Sequence, residues 1–214
     1  MKKILILCLF ILLFSVGCTN VKNKELEDII NKKITSNYNN KIFNVYHRGY
    51  QYYLPKKMSV KRINDTNEII TSDKYTYYLY LDLVSVIEEK NIPYEKEANL
   101  YKNLEFNYKN NQGYLKIKNL NDYYLVEIMY NYAKIEVIVD IEDINEVINN
   151  SITILSTIEY NKDIIANLME DNLLNYKDES LNLFDKITNE DNFIKYEEQY
   201  DDYESDIPDY DVIN

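Results

Sequence analysis

The sequence predicts an α+β fold: an antiparallel sheet meander with helices packed on one face, in a single domain. Three observations predict it. Leu26, Ile29, Ile30 and Ile34 recur at helical spacing before any strand pattern begins. From about 42 to 139 the apolar residues alternate, or run in short β-rich stretches. From 141 onward the period returns to helical, which places the helices before and after one sheet.

Residues 24–36 read as an amphipathic helix, with Glu25, Glu27 and Asp28 favouring its N-terminal end and Asn37-Tyr38-Asn39-Asn40 ending it. Tyr50, Tyr52 and Leu54 alternate with Gln51 and Tyr53 until Pro55 stops the strand. Met58, Val60 and Arg62 begin a second strand. Asp65-Thr66-Asn67 turns it into a third, Glu68 to Thr71. Tyr75 to Ile87, YTYYLYLDLVSVI, is rich in β-formers and reads as strand. Between Glu88 and Asn111 the pattern is ambiguous: Pro93 breaks it, and 95–104 fits a short helix. Gly113 opens a three-strand meander, Tyr114 to Lys118, Tyr123 to Met129 and Ala133 to Val139, turned at Asn119–Asp122 and at Asn131-Tyr132.

Ile141, Ile144, Ile148, Ile152, Leu155 and Ile158 then line one face of a helix over 141–158. Asp140 is its expected N-cap, with Asp143 at the capping-box position, and Asn161 ends it. Ile164, Ile165 and Leu168 mark a further helix, and Leu181 with Phe184 a short last piece.

Composition narrows the class. The chain has 214 residues, which fits one domain plus ends. It holds 23 Tyr and no Trp, a bias expected of an A+T-rich genome, so Tyr and Asn counts by themselves point to no function. The net charge is −12, and residues 190–214 carry ten acids against the single base Lys195, so most of the charge sits in that tail. The body is mildly acidic. It offers no phosphate-binding surface, which argues against nucleic acid as a partner. Residues 190–214 read as an acidic disordered tail.

The N-terminus carries an address. Lys2 and Lys3 precede an unbroken apolar run from Ile4 to Phe14, too short for a membrane span of about 20 residues but suited to a signal peptide. Ser15-Val16-Gly17-Cys18 resembles the lipobox of bacterial lipoproteins, with Ser15 departing from the aliphatic usual at its position. The resemblance implies removal of residues 1–17 and a diacylglycerol thioether on Cys18, with acyl chains of the palmitate kind. It places the chain at the extracytoplasmic face of the cell membrane. Residues 18–24 become a lipidated tether, and Thr19 to Lys24 reach about 20 Å at most. The α+β domain then covers 25–189. Cys8 leaves with the signal and Cys18 takes the lipid, so no disulfide is available to the exported domain.

A second resemblance rests on YYLPKKMSV, the strands after it, and NSITILSTIEYN. Over roughly 45–160 this pattern is similar to PsbP-like and DcrB-like domains, with Met58 where many members carry Trp. It implies an assembly or binding role and brings no catalytic residues.

Candidate chemistry is sparse. His47 is the one histidine, and zinc sites or acid–base triads need partners that only Cys18 could supply, so a surface or strand-end histidine is expected. Gly49 and Gly113 stand outside any phosphate-cradling loop. Ser85 and Ser151 have no base near them in sequence. Asp82 lies in an apolar stretch, where a buried carboxylate would be functional and a solvent-facing or Lys-paired one would not. Tyr75 and Tyr77 share one strand face, Tyr78 and Tyr80 the other, and core packing is expected over an aromatic binding strip. Tyr130 to Glu136 reads as a hairpin turn. The tail DDYESDIPDYD lacks the Gly and ligand spacing of an EF-hand and reads as solvated. No catalytic, cofactor or metal residues are expected, and Cys18 is the single modified site. The expected function is non-enzymatic binding or assembly at the cell envelope, with a membrane partner through the lipid and an envelope protein as the other. The alternatives are a solute-binding component of a transporter and a carboxylate-dependent envelope hydrolase.

Overall fold

Alternation decides the sheet. In the computed structural model, which describes residues 23–39, 42–62, 64–90, 94, 97–171 and 173–174, a seven-stranded antiparallel sheet has the order β3-β4-β5-β9-β8-β7-β6. Its strands are β3 (Ser59–Arg62), β4 (Asn67–Thr71), β5 (Thr76–Leu81), β6 (Lys102–Tyr108), β7 (Asn111–Leu120), β8 (Tyr123–Tyr130) and β9 (Ala133–Val139). Register aligns Leu79, Ile135, Ile128 and Leu115 in one row across β5, β9, β8 and β7, and Tyr77, Val137, Val126 and Ile117 in another. These rows belong to one continuous buried core. The rows between them carry Tyr78, Glu136, Glu127 and Lys116 to the opposite face, as a period of two requires.

Helices cover the apolar face. In α1 (Asn23–Asn39), Leu26, Ile30 and Ile34 are buried and Ile29 is left partly exposed, so the inward stripe is narrower than expected. The main helix, α3 (Ile144–Thr157), buries Val147, Ile148, Ile152 and Leu155. Both helices finish at the same end of the sheet, where Asn37 Nδ2 donates to Ser156 Oγ at 2.7 Å. A second, three-stranded sheet, β1 (Val45–Tyr46), β2 (Tyr50–Tyr52) and β10 (Glu159–Tyr160), has the order β1-β2-β10 and joins the same core through Tyr50 and Tyr52.

The α+β class, the meander and the helices on one face thus hold, and four local expectations do not. The stretch Tyr75 to Ile87 is not all strand: β5 stops at Leu81 and α2 (Leu83–Glu88) follows. Asp82 starts that helix, because its carboxylate accepts from the Ser85 N–H at 2.9 Å and from Ser85 Oγ at 2.7 Å. No helix forms over the described part of 95–104; the edge strand β6 begins there instead, pairing Leu104 with Leu115 and Phe106 with Gly113. The expected capping box at Asp140 and Asp143 is not made. A 3-10 turn, Ile141–Asp143, precedes α3, and both carboxylates accept from Tyr75 Oη, at 3.2 and 2.6 Å. Ile141 is accordingly 57% exposed. Asn161 does not simply end a helix. Two residues of strand intervene, and Asn161 caps α4 (Lys162–Glu170) by accepting from the Ile164 N–H at 3.1 Å. In that helix Ile165 and Leu168 are buried, while Ile164 faces out. The signal segment, Cys18, the piece at Leu181 and Phe184, and the acidic tail lie outside the described residues.

Candidate functional site

The turn between β1 and β2 is held open by one glycine. Gly49 sits at φ +93°, and a Cβ there would fall 2.7 Å from Ile165 Cγ1. Its carbonyl accepts from the Asn161 N–H at 2.7 Å. This close approach joins the β1–β2 turn to the start of α4. Between them lies an open cleft of about 600 Å³, walled by His47, Tyr50, Gln51, Glu159, Lys162 and Asp163. Its size falls within the range of small-molecule sites.

Behind this wall is a buried polar cluster. Glu68 of β4 is fully buried. Tyr50 Oη donates to its Oε1 at 2.6 Å, Tyr52 Oη donates to its Oε2, and His47 Nε2 lies 2.9 Å from Oε1. The His47 ring stacks at a tilt on Tyr50, 4.8 Å between centroids. Burial by itself would push the carboxyl up. The histidine and the two phenols outweigh burial and hold Glu68 below its ordinary value. Burial first, and then the Glu68 charge, raise both phenols far above theirs. The cluster is therefore a carboxylate with both oxygens engaged, and the phenols stay protonated. Such an arrangement fixes geometry; a general base needs an oxygen free to take a proton.

A second cavity of about 550 Å³ lies on the other side of β10, sharing Glu159, Tyr160 and Lys162 with the first. It is bordered by the ends of α1, α2 and α3 and by the β6–β7 and β8–β9 turns.

The remaining candidates find structural places. His47 is a strand-end residue, but its side chain is only 14% exposed, so it is not a surface histidine. Asp82 and Ser85 bond each other as a helix cap, neither facing solvent freely nor paired with Lys. Ser151 is fully buried, and its hydroxyl has no hydrogen-bond partner among the described residues. Tyr77 and Tyr78 are buried and Tyr75 and Tyr80 half-buried, so no exposed aromatic strip exists on β5. Gly113 makes room for Phe106 on the neighbouring strand; a Cβ would also lie 2.8 Å from the Met129 carbonyl. Asn131-Tyr132 does form the β8–β9 turn. Among the described residues, no group of three or more His, Cys, Asp or Glu is placed to hold a metal ion, and no helix is long and apolar enough to cross a membrane.

Sequence reasoning missed the Glu68 cluster because its members come from two sheets. One signal was present: Glu68 shares strand parity with Ile70, so it occupies a core-facing position. No protein-family model matches the chain, and neither a curated protein nor a solved structure matches it.

Proposed function

We propose that this chain is a non-enzymatic binding or assembly protein of the cell envelope, held to the outer face of the membrane by lipid on Cys18. The binding reading rests on Glu68. It is the buried carboxylate behind the cleft, next to the only histidine, and its oxygens are already taken by Tyr50, Tyr52 and His47. A hydrolase built on Glu68 and His47 would need that oxygen free. The cleft wall is thereby rigid, which favours recognition of a partner over turnover. The likeness to PsbP-like and DcrB-like domains points the same way.

The second cavity lies at the C-terminal end of α1. The 17 residues of α1 run about 25 Å from the tether to the end where Asn37 meets Ser156, beside the second cavity.

Photo-cross-linkers placed in living cells at Gln51 and Asp163 test the reading. One envelope protein should be enriched over a control at the exposed Lys57. Identical adducts from all three positions would overturn it. For the anchor, Cys18→Ala should move the chain out of the membrane fraction, and retention there would refute lipidation as its attachment.

A further inference from the structure

The second cavity differs from the first in chemistry. Its apolar lining joins aromatic residues, among them Tyr38, Phe43 and Tyr132, to the aliphatic Ile34, Val86 and Ile158. Its polar surface comes from carboxamides, among them Asn37, Asn110 and Asn111. In a chain whose residues are 28% charged, the charged side chains lining this space are all tied down. Lys162 Nζ bonds Glu89 at 2.5 Å on the exposed rim, and Glu159 accepts from Gln51 Nε2 at 3.1 Å. Each of these side chains already has a partner within the protein, which favours a neutral ligand over an ionic one. Carboxamides both donate and accept, as hydroxyl groups do. Aromatic faces suit the C–H faces of a sugar ring, since they present a flat apolar body. An extended peptide is served less well. The one strand edge that borders the space is β10, and its two residues offer little main chain to join.

Backbone strain gathers at the same place. The β8–β9 turn has two residues in the left-handed region, Asn131 at φ 55° and Tyr132 at φ 61°. Glycine is the usual second residue of such a turn, and a tyrosine there is strained. Glu89, also on the lining, has φ 52°. Lys109, at φ 55°, brings its ammonium to 3.3 Å from the centre of the Tyr38 ring. Strained residues persist where the surroundings over-determine them, and they cluster at ligand sites. Here the fastening is visible. Asn131 Nδ2 donates to the Ile158 carbonyl, Tyr160 Oη donates to the Asn131 carbonyl, and the Asp82 N–H donates to the Tyr132 carbonyl, each at 2.9 Å. The Tyr132 ring is held at the cavity at the expense of an easier turn.

We infer that this cavity binds a neutral saccharide of one or two rings, with Tyr132 as a stacking platform. The inference names a ligand class for the binding function proposed above and rests on it. The test is titration calorimetry of the full chain in a sugar-free detergent, with di-N-acetylchitobiose, cellobiose and trialanine as probes. One of the disaccharides should bind with unit stoichiometry and trialanine should not. Tyr132→Gly separates binding from folding, because it relieves the turn while removing the ring. It should keep a cooperative melt and weaken the sugar about tenfold, the equivalent of 1.4 kcal/mol. No heat from either disaccharide at ~10 mM, well above the millimolar range of weak binders, would overturn the inference. So would binding of trialanine alone, or sugar binding that Tyr132→Gly leaves unchanged. If cross-linkers at Gln51 and Asp163 still capture one envelope protein, the sugar site falls and the binding function stands.

Discussion

Two cavities share one thin wall, β10, and are built by opposite means. The first is braced by charge: a buried carboxylate, two phenols and a histidine hold β2 to β4. The second is braced by neutral groups, a strained two-residue turn fastened by carboxamide, hydroxyl and main-chain hydrogen bonds. The difference teaches how rigidity can be set independently in neighbouring sites. A buried ion is strong but conditional on its partners and on pH. Neutral hydrogen bonds are each worth about 1 kcal/mol and do not titrate in the ordinary range.

Perturbations of the charged side should have the larger effects. Glu68→Ala leaves two phenols and His47 without their acceptor, and should lower unfolding stability by about 3–5 kcal/mol in urea titration. The β8–β9 turn should keep its hydrogen-exchange protection in that variant. Loss of protection there would show that the two braces are not separate. Gly49→Ala meets both a positive φ and the Ile165 side chain. It should cost about 2 kcal/mol, read as a lower melting temperature, and a neutral outcome would mean that the turn and α4 are not in tight contact. Asn161→Ala removes the cap of α4 and should cost about 1 kcal/mol.

The smallest effect is the pH dependence. Glu68 is held below its ordinary 4.5 in the folded chain. Its stabilising contribution is therefore complete above pH 4.5 and is lost as pH falls through the folded value. Glu68→Gln should flatten the melting-temperature profile below pH 4.5 and leave its shape near neutrality alone. An unchanged acid limb would mean that Glu68 is not the group that matters.

Periodicity made much of this molecule legible. Strands β7, β8 and β9 could be read from their dense β-formers and turns; their helix-facing rows are apolar, while the opposite, also buried face mixes Leu125 and Met129 with Lys116, Glu127, Lys134 and Glu136. α3 could be read because Val147, Ile148, Ile152 and Leu155 face one core. β6 escaped because it is an edge strand, with Lys102, Asn103, Glu105 and Asn107 among its seven residues, so its pattern is mostly polar. α2 escaped because Val84, Val86 and Ile87 look like strand, and only the Asp82–Ser85 spacing signals a helix start. Neither cavity was legible. Each is assembled from turns and element ends far apart in sequence, and composition made every Tyr and Asn look ordinary. Gly49 was visible as a lone glycine, but its reason, the approach of Ile165, comes from more than a hundred residues away.

The shared wall has a consequence of its own. β10 is two residues long, and Glu159 and Tyr160 border both spaces. An occupant that shifts Tyr160 on one side must also move the hydroxyl that fastens Asn131 on the other. Affinities on the two sides are then thermodynamically linked, and linkage is reciprocal: whatever factor the first ligand imposes on the second, the second imposes on the first. A dipeptide strand would act as the coupling element between two recognition events.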